Sequence, residues 1–231
     1  VKVLGFIPAR GGSKGIPKKN LYPLAGKPLL QYTVEAAKQS QLSDVFVSTD
    51  DLEIQNLALQ LGAQCDSLRP AQLAGDTSVI EDAIGDYLQK SSEKFDAVML
   101  LQPTSPLRNH QHIDESLKLF LNSDADSLVS VSEPLEHPAD MVYWKDEKMH
   151  FLFEDKIKPG YTQRQQFEHL WFTNGAIYLF KTESFLKTKS RFGSKTIPYE
   201  MPADCSIDVD SLSHMKIAEA LLSLELESKK I

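Results

Sequence analysis

The stretch Ile7-Pro8-Ala9-Arg10-Gly11-Gly12-Ser13-Lys14-Gly15-Ile16-Pro17-Lys18-Lys19-Asn20 carries the densest chemical signal in the chain. Glycines let a backbone turn several amide N–H groups toward one point, which makes an anion nest. Arg10, Lys14 and Lys19 add formal charge, and a guanidinium can grip two phosphate oxygens at once. This is the composition that a polyphosphate needs. The order is neither the G-x-x-x-x-G-K-[ST] of a Walker loop nor the G-x-G-x-x-G of a dinucleotide site. Residues 1–34 hold six cations and no Asp or Glu, in a chain whose net charge is −7. A solvated basic face is the bland alternative, and the interleaved glycines argue against it.

Two further segments could do chemistry. Gln102-Pro103-Thr104-Ser105-Pro106-Leu107-Arg108 brings an amide, two hydroxyls and a cation to one short loop. That set suits a polyhydroxylated acid; the same residues also read as a proline-stiffened turn with Asn109 capping the next helix. Asp208-Val209-Asp210 places two carboxylates two residues apart, on one side of an extended segment. Paired hard oxygens suit Mg²⁺. A bare D-x-D is commonplace, and taken alone it reads more readily as Asp210 capping a helix with Asp208 solvated. Arg69, Ser78 and the Gly75-Asp76-Thr77 turn precede a helix whose N-terminus can receive a nucleotide. Asp50 reads as a cap only. The six histidines show no metal spacing, and no Ser-His-Asp or Cys-His set stands out. No general base is identifiable.

The elements that position these segments alternate. Strands are predicted at Val3–Ile7, Asp44–Thr49, Asp96–Leu101, Ser127–Val131 and Phe172–Phe180, with a short one at Ile207–Val209. Helices are predicted at Pro28–Ser40, from a capping box at Asp50 and Glu53 to Leu61, at Ser78–Gln89, from Asn109 to Leu121, and at Ser211–Glu227. Leu212, Met215, Ala218 and Leu222 share one face of the last helix. Alternation of this kind predicts a three-layer α/β fold, a mainly parallel sheet with helices on both faces. Ligands of such sheets bind beyond the carboxyl ends of the strands, where the 8–20 and 102–108 loops begin. Residues 133–170 break the pattern and read as an inserted lobe of hairpins, whose aromatic residues suit a partner interface.

Composition bounds the function class. The chain has 231 residues, 42% hydrophobic and 25% charged, as an ordinary globular protein does. Its acidity argues against general nucleic-acid binding. No apolar run approaches the roughly 18 residues of a membrane span, and the first residues are too short an apolar stretch for a signal peptide. Cys65 and Cys205 lie in no metal spacing and read as free buried thiols in a reducing cytoplasm.

The segment IPARGGSKGIPKKN resembles the signature of the CMP-sialic acid synthetases, the acylneuraminate cytidylyltransferases. The similarity continues through LAGKPLLQYT, VSTDD, LLQPTSPLR, EHP, NGAIYLF and SIDVD, in order along nearly the whole chain. KDO cytidylyltransferases are related but typically lack the SKG…KN part. The resemblance implies a nucleotide-diphospho-sugar transferase-like fold, one cytidylyltransferase domain over residues 1–231, and a homodimer in which 133–170 is the dimerisation lobe. It implies CTP as co-substrate, Mg²⁺ as cofactor, and a nine-carbon α-keto acid sugar as acceptor: N-acetylneuraminic, legionaminic or pseudaminic acid. Arg10, Ser13, Lys14, Lys19 and Asn20 would line the CTP site, with Ala9 and Gly11 in the same turn and Arg69 and Ser78 added from the segment before the third helix. Arg10, Lys14 and Lys19 would absorb charge as pyrophosphate departs. Gln102, Thr104, Ser105 and Arg108 would contact the acceptor, with Asn174 nearby. In Gln163-Arg164-Gln165, Arg164 would meet the sugar carboxylate, with Gln165 beside it. Asp208 and Asp210 would hold the metal. Two other classes stay open: a nucleotide-sugar-binding module without turnover, and a nucleotidyltransferase that uses a sugar 1-phosphate.

Overall fold

The structure, a computed structural model, describes residues 1–13, 15–75, 77–153 and 169–228. In chain order the strands are β1 (Val3–Pro8), β2 (Pro23–Leu24), β3 (Lys27–Pro28), β4 (Asp44–Ser48), β5 (Ala97–Leu100), β6 (Ser127–Ser132), β7 (Val142–Lys145), β8 (Lys148–Phe151), β9 (Phe172–Lys181) and β10 (Thr196–Glu200). The helices are α1 (Leu29–Gln39), α2 (Leu52–Gln60), α3 (Ile80–Lys90), α4 (His110–Leu121), α5 (Thr182–Thr188) and α6 (Leu212–Ser228).

Six strands form one sheet in the order β10-β6-β9-β5-β1-β4. Every pairing is parallel except those of β9, which runs antiparallel to both β5 and β6. The sheet is therefore mixed. The reason lies in the connection: parallel neighbours need a crossover, whereas β6 and β9 are joined by the 133–171 insert, so β9 returns as the second arm of a long hairpin.

Alternation along the strands sorts the core into two layers. Val3 and Ile7 of β1 and Val45 and Val47 of β4 pack with Leu30, Val34, Ile54, Ala58, Ile113 and Leu117 of α1, α2 and α4. Leu4, Phe6, Phe46, Val98 and Phe180 point the other way, onto Ala83 and Ile84 of α3 and Phe185 of α5. Each phenylalanine so buried contributes about 2–3 kcal/mol. A third cluster joins Ile16, Leu24 and Leu29 to Val209, Met215 and Ala218, which clamps α6 against the glycine-rich loop.

Some expectations are corrected. The cap of α2 is Asp51, whose carboxylate accepts from Glu53 N and Ile54 N, not Asp50. Residues 207–209 form no strand, and Leu212 is exposed although Met215 and Ala218 are buried. Cys65 is buried, Cys205 only half so, and neither is in a disulfide. Asn109 does cap α4, in a capping box closed by His112. Strand β10 and helix α5 have no counterpart in the sequence reading. Within the insert, β7 and β8 form a separate exposed hairpin; residues 154–168, with Pro159 and Gly160, lie outside the described residues.

Candidate active site

The carboxyl ends of β1, β4, β5, β6 and β10 and the start of β9 share one edge of the sheet. A cleft of about 470 Å³ opens there. Arg10, Ser13, Gly15, Lys19, Asn20, Arg69, Ser78, Gln102, Thr104, Asp208 and Asp210 all line it, so segments 200 positions apart in sequence meet in one place.

The basic loop is held from several sides. Ala9, fully buried, donates its N–H to the Ser48 carbonyl at 2.9 Å and forms the base of the turn rather than a wall. Asp50 accepts from the Gly11 N–H at 2.9 Å, so this carboxylate anchors the loop. A reader of the sequence could find it: two aspartates follow β4, and a helix cap needs one. Asn20 is buried and donates Nδ2 to the Arg10 carbonyl at 2.9 Å. Lys18, in the left-handed region at φ 50°, reaches both Glu53 oxygens at 2.8 Å. Lys19 Nζ contacts the Val209 carbonyl at 3.0 Å and Asp210 Oδ1 at 2.8 Å, bridging the basic and acidic segments. Gly15 packs so closely on the Asp210 carbonyl that a Cβ would fall 2.5 Å from it. Lys14 lies outside the described residues.

Opposite, Arg69 is fixed by Ser48, donating Nε to its hydroxyl at 2.9 Å and Nη2 to its carbonyl. Burial lowers the Arg69 pKa, against the pull of the Asp50 carboxylate. Ser78 donates to the Gln72 carbonyl and, with Gly75, Val79 and Ile80, brings the start of α3 to the cleft. Asp76 lies outside the described residues.

The acidic wall is unequal. Asp210 is exposed and paired with Lys19. Asp208 is half-buried; its Oδ1 is fully covered and has no hydrogen-bond partner among the described residues. Burial raises the Asp208 pKa, and the Asp210 charge adds to this, while the Thr104 hydroxyl and Lys19 work the other way. Asp210 does not cap α6: Ser211 Oγ accepts from His214 N at 3.2 Å, and His214 Nδ1 in turn accepts from Asp210 N. Two carboxylates, one with a buried oxygen lacking a donor, fit a hard cation that takes its other ligands from phosphate and water. No cluster of three or more acidic, His or Cys ligands occurs among the described residues.

Three expected acceptor contacts are not in the cleft wall. Ser105 is fully buried, and its hydroxyl has no hydrogen-bond partner among the described residues. Arg108 is buried beneath the 102–108 loop, since its guanidinium is taken up by backbone and hydroxyl acceptors of the core. Asn174 is buried as well: its Oδ1 accepts from Ser130 Oγ and Ala176 N, and its Nδ2 donates to Ser206 Oγ. Arg164 and Gln165 lie outside the described residues. Burial pushes the Cys65 thiol up to about 11, so it is no nucleophile at neutral pH. No helix among the described residues is long and apolar enough to cross a membrane.

A mixed sheet with helices on both faces and a basic loop facing carboxylates across its carboxyl edge defines a nucleotide-sugar-transferase-like α/β protein. The structure superposes on that of CMP:2-keto-3-deoxy-manno-octonic acid synthetase complexed with CTP, with a TM-score of 0.72 over 97% of this chain and 100% of that one, at 18% identity. A family model described as "Cytidylyltransferase" matches residues 4–221. The chain belongs to the cytidylyltransferase family. It is 37% identical over 216 residues to N-acylneuraminate cytidylyltransferase of Streptococcus agalactiae, covering 91% of this chain but 51% of that protein. The chain thus spans about half the length of that relative. It is 33% identical to CMP-N,N'-diacetyllegionaminic acid synthase of Legionella pneumophila, over 99% of both chains.

Proposed function

We propose that this protein activates a nine-carbon α-keto acid sugar with CTP. The anomeric hydroxyl oxygen bonds to the α-phosphorus of CTP, the bond to the β-phosphate bridging oxygen breaks, pyrophosphate leaves, and the hydroxyl proton passes to solvent or buffer. The observation that carries this reading is the meeting of the Arg10–Asn20 loop with Asp208 and Asp210 across one cleft.

The protein's part is positioning and charge stabilisation. Arg10 and Lys19, with Lys14 of the same loop, hold the triphosphate and meet the charge that grows on departing pyrophosphate. Arg69 and Ser78 close the nucleotide side, and Gln102 and Thr104 face the acceptor. Arg164 is kept as the proposed partner of the sugar carboxylate. Asp208 and Asp210 would hold Mg²⁺, which supplies charge neutralisation at the phosphates when bound. The exposed Val142, Trp144, Met149 and Phe151 support a homodimer through the 133–170 lobe. Two cysteines outside any disulfide agree with a cytoplasmic setting.

Pyrophosphate release with CTP and Mg²⁺ tests the reading, against N-acetylneuraminic, legionaminic and pseudaminic acids, with KDO and sugar 1-phosphates as controls. Release with one nine-carbon acid is expected, and it names the acceptor. Silence with all three while CTP still binds would favour a binding module without turnover. Release only with a sugar 1-phosphate would move the reaction to the other nucleotidyltransferase class.

A further inference from the structure

By volume, the largest fully buried side chain among the described residues is a cation, Arg108, at 1% exposure. It makes no ion pair among those residues. Nη1 donates to the carbonyls of Gln102, at 3.1 Å, and Ala176, at 2.8 Å, and Nη2 donates to Thr33 Oγ1 at 2.7 Å. Burial pushes the guanidinium down to about 9, so it stays charged at neutral pH. An uncompensated buried charge is costly.

The three acceptors come from three elements. Thr33 lies on α1, Gln102 is the second residue past the end of β5, and Ala176 sits in the irregular part of β9, where pairing with β6 slips between Val129 and Val131. Gln102 is where the chain leaves the sheet and enters the cleft wall. Its carbonyl accepts from Arg108 at the far end of the same loop, and at longer range from Ser105 N, at 3.3 Å, and Thr33 Oγ1, at 3.5 Å. Its side chain is set by the same irregularity of β9: Gly175 has φ +75°, and a Cβ there would lie 3.1 Å from Gln102 Oε1. A lysine could not repeat the planar fork that reaches three acceptors in different directions.

We infer that Arg108 and the Asn174-Gly175 turn are positioning residues that fix Gln102 for the acceptor, Arg108 through its backbone and Gly175 through its side chain. The inference rests on the reaction proposed above, with Gln102 on its acceptor side.

Two substitutions separate the two routes. Arg108→Lys keeps a primary amine and loses the fork; Gly175→Ala crowds the Gln102 amide and keeps the Arg108 guanidinium, while its φ of +75° strains the turn beside the Ala176 carbonyl. In both, the KM for the keto acid is expected to rise about tenfold while the KM for CTP stays within about twofold. Peptide-level hydrogen exchange over 102–107 should quicken in Arg108→Lys and change less in Gly175→Ala, with the 9–20 loop unaffected in both. If Arg108→Lys does not fold, Thr33→Val removes one acceptor of the fork, together with the long Thr33 Oγ1 bond to the Gln102 carbonyl, and is read in the same way, with smaller shifts. Unchanged exchange at 102–107 in the Arg108 or Thr33 variant would overturn the inference. So would a lowered melting temperature with both KM values unchanged. Should the wild-type protein release pyrophosphate with no keto acid, the reaction reading fails, and exchange alone still decides whether Arg108 fixes the loop.

Discussion

Lys19→Met is expected to lower kcat/KM for CTP by about 10³-fold while moving the melting temperature by less than about 2 °C. The two effects part because of where the ammonium sits. Its side chain is 15% exposed, but that of Asp210, its ion-pair partner, is 64% exposed. A pair so open to water contributes about 0–1 kcal/mol to folding, and an unpaired Asp210 would simply be solvated. For the reaction the same nitrogen is hard to replace. It is held between the basic loop and the acidic segment by the Val209 carbonyl, at the place proposed above for the triphosphate. Steady-state kinetics and a thermal melt on the same preparation check this. Parallel losses in both would make Lys19 a structural strut.

Asp208→Asn should behave in the opposite sense on stability. One carboxylate oxygen of Asp208 is buried without a hydrogen-bond donor among the described residues, and Asp210 adds like charge nearby. Holding an anion there costs folding free energy that a neutral amide of the same shape largely avoids. The variant is expected to gain about 1 kcal/mol, or about 2–4 °C in a chain of this size. Turnover should fall by about 10²–10³-fold, with a higher Mg²⁺ concentration needed for half-maximal rate. A stabilised variant with unchanged Mg²⁺ dependence would remove Asp208 from the metal site. A destabilised one would show that its carboxylate supports the fold.

Much of this arrangement could be read along the chain. The first half obeys local rules: Val3–Pro8, Asp44–Ser48 and Ala97–Leu100 are short apolar strands, each followed by a helix with a clear pattern. That rhythm places the loops after β1 and β5 at one edge, and their residues do meet. The second half obeys contacts instead. Strand β9 is antiparallel because an insert replaces a crossover helix, and the missing helical pattern between Ser132 and Phe172 was the available sign. Strand β10 contains Pro198, which argues against a strand except at a sheet edge, and the edge is where it lies. Residue types also mislead about direction. Arg108 and Asn174 have the chemistry of sugar contacts, yet both point into the protein, because the backbone carbonyls and hydroxyls around them need donors and acceptors. Ser105 goes the same way with no such partner among the described residues, and nothing in its local sequence marks it as different from Thr104.

The chain has two tryptophans, Trp144 on β7 and Trp171 just before β9, at 74% and 40% exposure. Both belong to the inserted segment, and the aromatic residues of the two core layers are phenylalanine and tyrosine. Indole fluorescence is therefore a private channel for the insert. Emission from the folded monomer should already lie near that of indole in water, so denaturing the sheet would change its wavelength little. A second copy settling over the hairpin would shift it to the blue as concentration rises, and a dilution series would register assembly without any label.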